Sequence, residues 1–208
     1  MANLPGRAPT LLSRLVKWAL LALYRGKGYS IDGEPPRDKR CVILGAPHTS
    51  NWDFVFFLGA VTEMGLSPSF MGKDSLFKWP MTRFMHDMGG IPVDRKAKDK
   101  NYVDQVVAEF AKGGELSLVI APEGTRGDIK GWRSGFYHIA HGAGVPIFPA
   151  WFDKTTGRGG IGAGVMPTGD FAADLRKIAE FYHAVMPGHP KLAVLYAQAG
   201  ITGDAEHA

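Results

Sequence analysis

The chain has 208 residues, 45% of them apolar and 21% charged, with one cysteine. That balance excludes wholesale disorder and fits one domain at ~100–200 residues per domain, needing no disulfide or metal staple. The formal net charge is +4, and residues 1–30 account for all of it: Arg7, Arg14, Lys17, Arg25 and Lys27 stand there without an Asp or Glu, and the rest sums to −1.

The first predicted element is a helix in Thr10–Ser30, rich in Leu, Trp18 and Tyr24 and interrupted by Arg14 and Lys17. Its longest uncharged apolar stretch, Trp18–Tyr24, is far shorter than the ~20 residues a spanning helix needs. A secretory signal fits poorly, because no small-x-small cleavage site follows. A nucleic-acid binder would spread its cations over a folded face, so no nucleic acid is expected as a partner. A basic, apolar segment suits an anionic lipid surface, with Trp18 and Tyr24 at headgroup depth. Packing of this helix on the domain is the alternative, since amphipathicity alone does not separate the two.

Strand-like and helix-like stretches then alternate. Cys41–Ala46 reads as a buried parallel strand, with Cys41 a small hydrophobe rather than a nucleophile. Thr49 or Ser50 can cap a helix over 51–64, whose Trp52 and Phe54–Phe57 read mostly as core. Residues 68–71 make a weak strand, and 91–93 a short one after Gly89 and Gly90. Helical spacing recurs at 101–112, a second buried strand at 115–121, a helix at 135–141 and a third apolar strand at 145–152. Gly160–Gly164 reads as a flexible turn. An amphipathic helix covers 170–186, and the 203–208 tail is frayed. The pattern predicts an α/β fold: a single layered domain with a largely parallel mixed sheet flanked by helices, plus an N-terminal amphipathic helix. Residues 1–28 are assigned to that helix and 29–208 to the domain.

In such sheets function collects beyond the strand C-termini. After the first strand come Pro47-His48-Thr49-Ser50-Asn51-Trp52-Asp53. A loop-to-helix bend lets the Asp53 carboxylate fold back on His48, fix its tautomer and leave the other ring nitrogen to accept a proton. An N-capping Asp beside an incidental loop His is the plainer explanation of the same spacing. Arg95 stands beyond the 91–93 strand. Glu123-Gly124-Thr125-Arg126 follow the second strand, where glycine admits an anion and arginine presents a planar fork to phosphate oxygens. Glu123 there holds the arginine forks or accepts from a substrate hydroxyl. His138 and His141 lack a third ligand of suitable spacing, so no metal site is expected.

His48-x4-Asp53, Gly89-x-Ile91-x3-Arg95, Glu123-Gly124-Thr125-Arg126 and Val145-Pro146-Ile147-Phe148-Pro149 resemble, in order, the four sequence blocks of the glycerolipid acyltransferase superfamily. Pro47 replaces the Asn common before the His, and Gly127 the Ser that often follows the arginine; neither change removes a reacting group. The resemblance implies an O-acyltransferase moving a fatty acyl group from acyl-CoA or acyl carrier protein to a lysophospholipid hydroxyl, above all 1-acylglycerol-3-phosphate. It implies His48 and Asp53 as catalytic pair, Arg95, Glu123, Gly124, Thr125 and Arg126 as acceptor-binding residues, no cofactor beyond the acyl donor, and a peripheral position on the cytoplasmic face of a membrane. Another lyso-lipid acceptor, a catalytically silent lipid-binding protein and a hydrolase are the alternatives.

Overall fold

A computed structural model describes residues 8–48, 52–93, 102–124, 127 and 129–201. In chain order its elements are α1 (Leu11–Gly26), β1 (Ser30–Asp32), β2 (Arg40–Gly45), α2 (Trp52–Glu63), β3 (Pro68–Lys73), α3 (Thr82–Asp87), β4 (Gly90–Val93), α4 (Tyr102–Ala111), β5 (Leu116–Ile120), α5 (Gly135–Ala143), β6 (Ile147–Asp153), β7 (Arg158–Ile161), α6 (Phe171–Val185) and α7 (Ala193–Gln198). The strands form one seven-stranded sheet in the order β1-β7-β6-β2-β5-β3-β4. β6, β2, β5, β3 and β4 run parallel; β7 pairs antiparallel with β6 and carries β1 alongside it. The fold is therefore α/β with a mostly parallel mixed sheet flanked by helices, as the alternating pattern predicts.

β2 reads as an unbroken apolar run because both faces of the sheet are covered. Its successive side chains point to opposite faces. Val42 and Leu44 join Phe110, Ile139, Leu175 and Ile178 on the α4–α7 side. Cys41 and Ile43 join Phe56, Phe57 and Phe152 on the α1–α2 side. Cys41 is fully buried, and burial pushes its thiol up to about 11, which leaves it a packing residue.

The structure corrects the expected headgroup position of Tyr24. Its side chain is only 1% exposed. The ring lies on Gly59 of α2, where an added Cβ would stand 2.3 Å from it, and its centroid is 5.8 Å from that of Phe56. A side chain at Gly59 would hold α1 off; its absence lets the helices meet. The N-terminus of α1 is fastened as well. Thr10 accepts from the Ser13 N–H, while the Thr10 N–H and the Ser13 hydroxyl both donate to Asp87 Oδ2 of α3, at 2.9 and 2.8 Å. Arg83 donates to the other Asp87 oxygen at 3.1 Å and to the Ala8 carbonyl at 2.6 Å. The packing alternative thus holds for one side of α1, while on the other Leu11, Leu12, Leu15 and Trp18 are 81, 62, 61 and 67% exposed. No helix among the described residues is long and apolar enough to cross a membrane.

A second correction concerns Gly160, placed by the sequence pattern in a flexible turn; it lies in β7. Neighbouring side chains take the space its own would occupy: a Cβ on Gly159 would stand 2.3 Å from the Phe56 ring, and one on Gly160 2.8 Å from Trp151 Nε1. β1, α3 and α7 are also absent from the sequence reading. The expected Thr49 or Ser50 cap and the 203–208 tail lie outside the described residues.

Candidate active site

Three adjacent central strands, β6, β2 and β5, deliver the site. Lys154 directly follows β6, His48 and Glu123 stand three residues beyond β2 and β5, and Asp53 lies in the first turn of α2. A carboxylate there faces the positive end of the helix, which favours its ionised form.

His48 Nδ1 lies 3.1 Å from Asp53 Oδ2, and Lys154 Nζ lies 3.0 Å from Asp53 Oδ1. The carboxylate, 2% exposed, is thus held between an imidazole and an ammonium. The imidazole keeps 22% exposure, so the ring reaches the surface while its partner does not. With Nδ1–H donating to Asp53, Nε2 is the basic nitrogen.

Glu123, expected at the acceptor, stands beneath this loop at 1% exposure. Its Oε1 accepts the His48 backbone N–H at 2.9 Å, and its buried Oε2 has no hydrogen-bond partner among the described residues. Burial pushes the Glu123 carboxyl above its ordinary range; the His48 N–H and the Lys191 charge offset this only in part. Lys191, from the α6–α7 connection, reaches the His48 carbonyl at 3.4 Å and the Gly127 carbonyl at 3.5 Å, spanning the loops after β2 and β5. Below them the Tyr182 hydroxyl of α6 shares its proton between the carbonyls of Leu44 (2.9 Å), near the end of β2, and Ala150 (3.0 Å), in the middle of β6. The shelf that carries His48 is therefore bonded from three directions.

Gly124 turns with φ +67°, a conformation that favours glycine, and Arg133 lies over it: an added Cβ would stand 3.0 Å from Arg133 Nε. Arg133 is thus a described cation beside the Glu123-Gly124 turn. His189 lies among Asp153, Lys154 and Lys191; burial and the two ammonium groups hold it below the usual histidine value, against the pull of Asp153. The structure brings His48, Asp53, Glu123 and Gly124 to one edge of the sheet. Arg95, Thr125 and Arg126 lie outside the described residues. Lys154, Lys191 and Tyr182 escape the sequence reading, and only Lys154, one residue past an apolar strand, carries a positional signal. In sequence, Trp132-Arg133-Ser134-Gly135-Phe136 reads either as an acceptor or donor contact or as an ordinary helix entry; in the structure Trp132 and Phe136 are core at 4 and 2% exposure, with Trp132 against Tyr182, while Arg133 stands beside the Glu123-Gly124 turn.

Such a constellation can take a proton from a hydroxyl or a water at an exposed ring nitrogen while a buried carboxylate stabilises the resulting imidazolium.

The chain is similar over 143 residues, at 31% identity, to a 1-acyl-sn-glycerol-3-phosphate acyltransferase of Haemophilus influenzae, covering 64% of this chain and 58% of that protein. The Escherichia coli protein of the same name is 29% identical over 140 residues, covering 63% of this chain and 56% of its own length. The chain thus matches little more than half the length of these relatives. In fold it is similar to the crystal structure of the 1-acyl-sn-glycerophosphate (LPA) acyltransferase from Thermotoga maritima, with a TM-score of 0.58 at 17% identity over 85% of this chain and 82% of that one. The Acyltransferase family model matches residues 30–153, from β1 to the end of β6, which spans the His48, Asp53 and Glu123 positions. The chain belongs to the Acyltransferase family.

Proposed function

We propose that this acyltransferase moves a fatty acyl group from acyl-CoA or acyl carrier protein to the free hydroxyl of a lysophospholipid, with 1-acylglycerol-3-phosphate as the preferred acceptor and phosphatidate as product. The observation that carries the reading is the 3.1 Å His48–Asp53 contact with an exposed imidazole and a buried carboxylate.

An alcohol is a poor nucleophile at neutral pH. As its oxygen attacks the thioester carbonyl carbon, His48 Nε2 takes the hydroxyl proton, a contribution of typically ~10²–10⁴-fold. Asp53 stabilises the imidazolium, and Lys154 keeps the carboxylate ionised and oriented. Collapse of the tetrahedral species breaks the C–S bond. The thiolate, with a parent value near ~8.5, leaves without strong acid assistance and recovers the proton from His48 or water. The products are an ester and a free thiol, with no acyl-enzyme between. Arg95, Thr125 and Arg126 would bind the acceptor phosphate, together with the Glu123-Gly124 turn. Glu123 also acts through the His48 backbone it holds. The outward apolar side of α1, with Arg14 beside it, supports a peripheral position on a membrane, and the need for acyl-CoA or acyl carrier protein places it on the cytoplasmic leaflet. A single-chain lipid resists extraction into water by ~0.8 kcal/mol per buried CH₂, so an enzyme resting on the bilayer can draw its acceptor sideways.

The test is an acceptor panel: acyl-CoA alone, then with lysophosphatidate, lysophosphatidylcholine or a lyso-aminolipid. Ester formation fastest with lysophosphatidate is expected. Equal rates with the zwitterionic acceptor would remove the phosphate preference; free fatty acid in every arm would make the protein a hydrolase, and no turnover a binding protein.

A further inference from the structure

The outer side of α1 reverses the usual pattern. A helix docked on a domain turns its polar side to solvent. Here Ser13 and Tyr24 face inward, while Leu11, Leu12, Leu15 and Trp18 face outward. A second segment does the same. After β3 the chain makes a short 3₁₀ turn over Asp74–Phe77 and reaches α3 through Lys78–Met81. Phe77 folds inward onto two glycines: a Cβ at either Gly72 or Gly90 would stand 2.8 Å from its ring. With that anchor set, Leu76, Trp79 and Met81 project outward at 50, 90 and 45% exposure. Single exposed apolar side chains are ordinary on a monomer, but a tryptophan at 90% between two further apolar residues is a patch that calls for a partner.

The two segments are joined. Asp87 at the end of α3 accepts from Thr10 and Ser13 at the start of α1, and Arg83 bonds both Asp87 and the Ala8 carbonyl. The surrounding charge is mostly positive. Lys73 and Lys78 flank the turn, exposed, with Asp74 as the opposing charge; Arg14 and Lys17 lie on α1. Asp87 is satisfied by its three partners. An apolar patch with tryptophan outward and cations at its margin complements one surface chemistry in particular, the anionic headgroup region of a bilayer.

We propose that the Leu76–Met81 turn is a second lipid-contacting element, coupled to α1 through Asp87, so that the two meet an anionic bilayer as one face. This extends the membrane reading of α1 given above, and the two can fail separately. A helix alone is free to roll about its axis at the interface. A second contact tied to its N-terminus fixes how the sheet, and therefore the His48 edge, stands over the lipid.

The experiment is co-sedimentation of the full chain with vesicles of phosphatidylcholine, with and without phosphatidylglycerol. It compares wild type, Leu76→Ser/Trp79→Ser/Met81→Ser, the single Trp79→Ser, and Leu12→Ser/Trp18→Ser. Thermal melts check folding, and Trp79→Ser alone decides the matter if the triple variant melts early. The expected result is at least about tenfold weaker binding to the anionic vesicles for the triple variant, a smaller loss for Trp79→Ser, and retained ester formation with a detergent-dispersed acceptor. Wild-type binding by the turn variants, with loss confined to the α1 variant, would overturn the proposal and leave α1 as the contact. Concentration-dependent self-association in sedimentation velocity, abolished by Trp79→Ser and without vesicle binding, would overturn it in favour of a second copy of the chain. His48→Ala binds vesicles like wild type under the proposal, so loss of catalysis and loss of lipid contact are read separately.

Discussion

The edge formed by β6, β2 and β5 and the outer side of α1 and α3 both break the ordinary burial rule, in opposite directions. At the strand ends charged groups are buried: Asp53 is 1% and Glu123 1% exposed. On α1 and the turn before α3 large apolar groups are exposed, up to 90% at Trp79. Buried charge is costly unless paired, and Asp53 meets that cost with an imidazole on one oxygen and an ammonium on the other. Exposed apolar area is costly until something covers it. The Asp53 charge is thus paired within the chain, whereas the apolar area on α1 and the turn stands exposed in it. Substitutions should therefore show themselves in chemistry at the first and in association or docking at the second.

The largest expected effect is at the strand ends. Asp53→Asn removes the charge that stabilises the imidazolium, so ester formation should fall about 10²–10³-fold with the melt little changed, as read by initial rates. A rate within a few-fold of wild type would mean that the buried carboxylate serves only structure.

Next comes the docking of α1. Tyr24→Ala empties a site filled by a large ring and should cost about 3 kcal/mol, a fall in Tm of roughly 6–10 °C. Gly59→Ala sharpens the point. In most helices that change stabilises by up to ~1 kcal/mol, but here the new methyl meets the Tyr24 ring and the sign should reverse. An unchanged Tm in both variants would show that α1 does not contribute to the folded domain.

A smaller effect separates a structural buried carboxylate from the catalytic one. Burial alone would raise Asp174, yet the Thr168 N–H, Lys177, the Thr168 hydroxyl and Tyr137 outweigh it and hold it at about 2. A depressed carboxyl stabilises the fold fully above its unfolded value near ~3.9 and loses that contribution as pH falls toward the folded value. Asp174→Asn should therefore lower stability by roughly 2 kcal/mol at neutral pH, with the gap to wild type closing between about pH 4 and 2 in denaturant titrations. A gap that persists unchanged at low pH would place the effect in packing rather than charge. The smallest effect is at Lys154, whose side chain is 40% exposed and so partly screened. Lys154→Met should slow ester formation about fivefold, equivalent to ~1 kcal/mol, without altering binding to vesicles.

The buried strands were legible in the sequence because sheets covered on both faces leave near-continuous apolar runs, as at Cys41–Leu44 and, interrupted by Ser117 alone, Leu116–Ile120. The His48–Asp53 pairing was legible because both partners lie within one loop-to-helix bend. β1 and α3 were not, since three and six residues are too few to show a period. β7 was hidden by its glycines, which are needed where Phe56 and Trp151 press on the strand. Lys154 and Lys191 reach the site through strand order and the α6–α7 connection, neither of which spacing encodes. Tyr24 was misplaced because its inward side depends on a glycine 35 positions away on another helix.

The central claim is that His48 takes the acceptor proton. The direct measurement is ester formation from acyl-CoA and lysophosphatidate by wild type and His48→Ala across a pH series. The account predicts a wild-type rate that rises with pH as the catalytic base loses its proton, and a variant slower by about 10²–10⁴-fold without that rise. A variant that keeps the wild-type rate and profile would contradict it.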